Sequence, residues 1–189
     1  MELKKIPFTH LLFEMFSVVF AVLIALAVNE WRTNQNNEDL GLAAFEKVVK
    51  EVEGNKSKIS GILKNHKNTL SEIDTVISKI KRKSSDITFG QILFEAPAST
   101  AWEAAKLTSA VNYLDYSHVE KMTAVYSTQK VYSDVADKVF QELVFFVPDE
   151  DHEILVKQFT KQKVYLYNLI LIEEQLIEEY DKFLNEIKS

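Results

Sequence analysis

Residues 11–31, LLFEMFSVVFAVLIALAVNEW, decide how the rest of the chain is read. From Leu11 to Val28 there are eighteen residues and one charge, Glu14. As a helix they span roughly 27 Å, enough for the hydrocarbon core of a bilayer. Trp31 and Arg32 follow at the level where interfacial anchors sit. The reading is a transmembrane helix over residues 1–32, with a separate domain over 33–189.

Two alternatives compete with it. Lys4 and Lys5 with Ala25-Leu26-Ala27 imitate a cleavable signal peptide, but Glu14 interrupts its apolar region. A buried soluble helix would need a large protein around it, because the run is apolar on every side. Lys4 and Lys5 before the run, against Arg32 alone after it, orient the N-terminus toward the cytoplasm. The expected location is a bacterial inner membrane.

One face of the run differs from the others. His10, Glu14, Ser17, Ala21, Ala25 and Asn29 recur at steps of 4, 3, 4, 4 and 4. Small residues at this spacing let helices approach closely in lipid, and polar ones hydrogen-bond across the contact. An intramembrane carboxylate normally faces a bundle interior or water. The stripe is therefore a candidate association face and the chain a candidate homo-oligomer. The plain alternatives are that Ser and Ala are common, and that Glu14 snorkels to the nearby surface.

The 189 residues contain only four glycines and three prolines, none of the prolines between Phe8 and Arg82. So few breakers predict long helices. Leu42, Phe45, Val49, Val52, Lys56, Ile59, Leu63, His66, Leu70, Ile73, Ile77 and Ile80 step by 3 and 4, the seam of a coiled coil or bundle helix. Asn34–Asn37 is the expected hinge below the membrane, and Gly54 and Gly61 mark expected kinks. Lys79–Lys83 ends this helix, its cations meeting the negative end of the dipole.

Ser84–Ala98 is too apolar for a free loop, with Ile87, Phe89, Ile92, Leu93 and Phe94, and is expected to pack on the bundle. Ser99 or Thr100 caps a helix that runs to Asp115. Ser117 caps the next, Val119–Phe146, with Met122, Tyr126, Val139 and Leu143 on its apolar face. The last opens at Asp149–Glu153. Its seam is Leu155, Phe159, Gln162, Leu166, Leu169, Glu173, Leu176, Tyr180, Phe183 and Ile187. The fold class is all-α: an N-terminal transmembrane helix continuing into an elongated antiparallel helical bundle.

No chemistry emerges from the motifs. There is no cysteine, so thiol catalysis and thiolate metal sites are excluded. Asp149, Glu150, Asp151 and His152 are metal-ligand types, but they read as an acidic first helical turn. The Glu-x-x-His pairs of di-iron bundles are missing. The only arginines, Arg32 and Arg82, lack the histidine four to six residues on that helical RNases use. Phosphate-binding loops are missing too. The expectation is no enzyme, no catalytic residue, no metal and no cofactor. The net charge of −6 argues against a nucleic-acid partner, which leaves the membrane, further copies and a protein partner.

The segments FEMFSVVFAVLIALAVNEWRTNQNN and STAWEAAKLTSAVNYLDYSHVEKMTAVY resemble, in arrangement, a family of uncharacterised bacterial single-pass membrane proteins common in the Bacteroidota. Its members share an acidic residue entering an apolar helix, an Asn-x-Trp boundary, here Asn29-Glu30-Trp31, and a helical C-terminal domain. The resemblance implies topology and fold, not an activity. Three functions follow as expectations. The first is a membrane-anchored scaffold that self-associates through its transmembrane helix. The second is an oligomeric pore or membrane-perturbing effector, such as those of antiphage defence. The third is a sensor with a pocket lined by Trp102, Tyr113 and Tyr126.

Overall fold

The computed structural model describes the backbone of residues 8–83 and 90–187, and their side chains except those of residues 8–11 and 144. Lys4, Lys5, Ile87 and Phe89 lie outside the described residues. Four α-helices are present among them: α1 (Phe8–Lys81), α2 (Thr100–Leu107), α3 (Tyr116–Val144) and α4 (His152–Glu186). There is no strand among the described residues, so the fold is all-α.

Helix α1 is a single rod of 74 residues, about 110 Å long. Asn34–Asn37 forms no hinge, and the helix also continues through Gly54 and Gly61. Asparagine and glycine disfavour helix by less than about 1 kcal/mol each, which the flanking helical turns absorb. The N-terminal part of α1 is long and apolar enough to cross a membrane, and none of its apolar window is buried. The rod ends without a glycine: Lys83 takes a left-handed φ of 55° and its N–H bonds the Ile80 carbonyl at 2.9 Å.

The bundle is built on the lower part of α1. Helix α4 runs antiparallel to it, with Phe45 against Phe183 at one end, His66 beside Glu173 in the middle, and Lys163 paired with Asp74 further on. Helix α3 starts where His118 meets Phe45 and runs parallel to α1, antiparallel to α4. That parallel pair needs a crossover. Residues 90–115 supply it, climbing back along α1 from Asn65 through Asn55 and Glu51 to Gly41.

The α4 seam lies where its periodicity places it. Phe159, Gln162, Leu166, Leu169, Glu173, Leu176, Tyr180 and Phe183 are all buried. The α1 seam is half displaced. Its buried line is Val48, Val52, Asn55, Ile59, Ile62, His66, Thr69, Ile73, Val76 and Ile80. Phe45, Val49, Leu63, Leu70 and Ile77 sit beside that line and only partly buried, while Leu42 is exposed. Reading apolar residues alone chose Lys56 over Asn55 and Leu70 over Thr69. The shift is one residue at polar and apolar positions alike, with Val48, Ile62 and Val76 also buried in place of Val49, Leu63 and Ile77; at Asn55 the crossover supplies partners, while Lys56 pairs with Asp181 outside.

The crossover corrects three helix boundaries. Helix α2 ends at Leu107, not near Asp115: Ser109 adopts a left-handed φ of 58°, and Ala110–Tyr113 forms a separate 3₁₀ turn. This break lets the turn lie on Gly41, where a Cβ would come within 2.9 Å of the Tyr113 carbonyl oxygen. Ser99 occupies the N-cap of α2, but its hydroxyl caps nothing. Glu51 of α1 instead accepts from the Ala101 N–H at 2.8 Å. Ser117 lies inside the first turn of α3, whose N-cap is Asp115.

Candidate functional site

Two regions stand apart from ordinary packing: the apolar end of α1 and a polar line through the bundle core.

On the apolar end, Glu14, Ser17, Ala21, Ala25 and Asn29 are exposed along one side of the rod, and the His10 side chain is outside the described set. The Ser17 hydroxyl donates to the Glu14 carbonyl at 2.9 Å, and Thr33 likewise to Asn29. Bonding back to the preceding turn is how a hydroxyl is tolerated on a helix without a water partner. Trp31 is 68% exposed, followed by exposed Arg32. Glu14 and Gly41, Ala21 and Val48, and Ala25 and Val52 are each separated by 27 residues. That is about seven and a half helical turns. On an ideal α-helix this spacing places Glu14, Ala21 and Ala25 on the side opposite those bundle-facing residues.

The core line clamps the crossover. Its first stretch, Gly90–Ser99, is a strap lying on α1. Asn55 donates to the Ala98 carbonyl (2.7 Å) and accepts from the Ala98 N–H (2.8 Å). Gln129 of α3 donates to the same carbonyl (2.9 Å), and its oxygen accepts from Asn55 (3.1 Å) and from the Tyr180 hydroxyl of α4 (2.7 Å). One peptide group of the strap thereby ties three helices together. Above it, Glu51 accepts from Ala101 and from the Tyr126 hydroxyl, the latter at 2.6 Å. Below it, Asn65 brackets the strap at Gln91 and Leu93.

His66 completes the line. Its Nδ1 lies 2.8 Å from Glu173 Oε1, and its Nε2 lies 2.7 Å from the Leu93 carbonyl. Both side chains have zero exposure. The Phe94 ring sits 5.4 Å from the imidazole. The Tyr132 hydroxyl and Glu173 Oε2 are buried without a hydrogen-bond partner, the only such side-chain atoms among the described residues. Burial pushes the Glu173 carboxyl up, and the hydrogen bond and charge of His66 oppose that. Burial also raises the Tyr126, Tyr132 and Tyr180 hydroxyls, assisted at Tyr126 by the Glu51 hydrogen bond and at Tyr132 by the Glu173 charge.

Of the three aromatic residues expected to line one pocket, Trp102 and Tyr126 line a common surface groove and Tyr113 does not. Trp102 stacks on Tyr126 with centroids 5.5 Å apart, both buried, whereas Tyr113 is 42% exposed on the 3₁₀ turn. In the acidic segment, the Asp151 carboxylate accepts from the Glu153 and Ile154 N–H groups at 2.7 and 3.2 Å, and caps α4. Those two bonds hold its carboxyl below the usual range. No group of three or more metal-ligand side chains gathers among the described residues.

His66 is visible in the sequence as a polar interruption of its seam; Glu173 falls on the α4 seam, but the Glu173–Glu174 pair reads as a solvated face, and the structure buries Glu173 completely because His66 partners it. Asn55 and Gln129 fall outside the apolar pattern. Their one signal is a polar residue at a core register, which a search for apolar positions passes over. Compared with family models, curated proteins and solved structures, the chain matches none.

Proposed function

We propose that this chain is a membrane-anchored helical scaffold that associates with further copies of itself through the apolar end of α1, and that binds partner proteins rather than transforming a substrate. The observation that carries the proposal is the rod. One unbroken helix joins the apolar run to the bundle, and ideal helical phase sets Glu14, Ala21 and Ala25 opposite its bundle-facing side. Copies can therefore meet along the stripe with their bundles outside the contact. Trp31 and Arg32 fit the lower membrane boundary. The resemblance to bacterial single-pass membrane proteins agrees with an inner-membrane location, and Lys4 and Lys5 before the run against Arg32 after it favour the bundle on the outer side.

The chain has no native cysteine, so introduced ones report cleanly. Oxidising membranes that carry Ala21→Cys or Ala25→Cys is expected to give crosslinked dimers. Leu23→Cys, on the opposite side of the helix, is expected to stay monomeric. Equal crosslinking from all three positions defeats the proposed face. Recovery of the chain in the carbonate-soluble fraction defeats the anchor.

A pore is the second reading, favoured by Glu14 on the association face, since acidic rings set cation preference. It requires expression to depolarise cells and Glu14→Ala to abolish the effect.

A further inference from the structure

The contacts of His66 fix how many protons it shares with Glu173. The Leu93 carbonyl only accepts, so Nε2 carries a hydrogen. Nδ1 and Oε1 lie 2.8 Å apart, and each presents a lone pair unless a hydrogen lies between them. The pair therefore holds one proton more than a neutral imidazole and a free carboxylate. Imidazolium with carboxylate, and imidazole with carboxylic acid, satisfy this equally, and both have zero net charge. A site with no exposure requires that neutrality.

Without that proton the imidazole has one N–H for two acceptors. The charged carboxylate is the stronger acceptor. The hydrogen moves to Nδ1, and Nε2 then turns a lone pair on the Leu93 carbonyl. We propose that the proton shared by His66 and Glu173 is a latch that holds the Gly90–Phe94 part of the strap on the bundle and lets it go in alkaline conditions.

The release is local. Ala98 and Ala101 remain clamped by Asn55, Gln129 and Glu51, none of which depends on this proton, whereas Gly90–Phe94 is then left with the solvent-exposed bonds of Asn65 to Gln91 and Leu93 and of Glu72 to Gly90. Other charged or titratable groups lie near the pair: the Tyr132 hydroxyl from α3 and the Lys67–Glu174 ion pair joining α1 and α4; Glu95 of the strap, paired with Lys58, acts on Tyr132. The Phe94 ring, resting on both His66 and Phe140, leaves with the strap.

The linkage has a definite shape. Unfolded His and Glu titrate near about 6.5 and 4.3. Between those values the unfolded pair holds one proton, as the folded pair does, and stability is flat. Above about pH 6.5 the unfolded pair holds none, so folding takes up one proton. The folded-to-unfolded ratio then falls about tenfold per pH unit until the folded pair releases its own proton. The raised Glu173 carboxyl agrees with a proton retained on folding.

The test uses the full chain in mild detergent. Glu173→Gln keeps the shape and supplies an amide N–H to Nδ1 with no titrating proton. In the unaltered chain, urea unfolding between pH 6.5 and 9 is expected to show the tenfold slope. Hydrogen exchange in residues 90–96, corrected for intrinsic rates, is expected to rise more than that of residues 98–106. In Glu173→Gln both pH dependences are expected to vanish, with the strap protected at pH 9. Equal slopes in the two chains, or uniform exchange along the crossover, overturn the latch. A Glu173→Gln chain that fails to fold also counts against it, because the amide replaces the bond the proton supplies.

Discussion

Replacing Asn55 by alanine tests the register of α1 and the clamp together. The side chain is 2% exposed and makes three hydrogen bonds. Two have substitutes: Gln129 still donates to the Ala98 carbonyl, and Tyr180 still donates to Gln129. The Ala98 N–H has none. Ala98 is exposed and this bond only part-buried, so its loss costs about 1 kcal/mol, the low end for a donor left without a partner. The vacated volume adds about 1 kcal/mol, given the usual cost of small core cavities. The expected loss is about 2 kcal/mol. Asn55→Asp is expected to cost at least as much, because its carboxylate would face the Ala98 carbonyl and the Gln129 oxygen. Lys56→Ala, one residue on, removes an ion pair with Asp181 whose side chains are 37% and 45% exposed. Its expected cost is under about 0.5 kcal/mol. The assay is urea unfolding of the full chain in detergent, followed by Trp102 fluorescence in a Trp31→Phe background. If Lys56→Ala costs more than Asn55→Ala, the buried line runs along the apolar seam and the clamp is not holding the crossover.

Two glycines of α1 are expected to respond oppositely to alanine. Gly61→Ala meets nothing within 4 Å and should stabilise the bundle by about 0.5–1 kcal/mol through helix propensity. Gly41→Ala meets the Tyr113 backbone at 2.9 Å and should destabilise it. Urea midpoints of both variants check this, and matching signs would contradict the contact with the 3₁₀ turn. Alkaline unfolding gives another test. Tyr126, Tyr132 and Tyr180 have hydroxyls raised above their unfolded value near 10, so the stability they protect is present below about pH 10 and is lost as pH climbs through their folded values. Absorbance of ionised tyrosine should rise for these three buried residues only as the bundle opens.

Periodicity made the long elements legible, because a helix that buries one stripe in a bundle must repeat its apolar residues every 3 or 4 positions. Helix α4 follows this closely. Where α1 departs from it, the buried line moves by one residue: Val48, Asn55, Ile62, Thr69 and Val76 take the positions that Val49, Lys56, Leu63, Leu70 and Ile77 hold in the apolar pattern. At Asn55 the reason is long-range. Asn55 is worth burying only because Ala98, 43 residues on, brings it a peptide group. Helix ends suffered similarly, since Glu51 caps α2 from another helix and Ser109 breaks it without a glycine. The pairing of His66 with Glu173, 107 residues apart, was beyond any local pattern, although each residue falls on a seam. The stripe on α1 remains as legible in the rod as in the sequence, since a continuous helix preserves the phase between its two ends.

The most direct test of a self-associating anchor is native mass spectrometry of the full-length chain released from mild detergent. The account predicts a defined multimer of two or more copies that falls to monomer when Ala21→Phe fills the stripe, while Leu23→Phe on the opposite side leaves it intact. A monomer for the unaltered chain, across detergents, would contradict it.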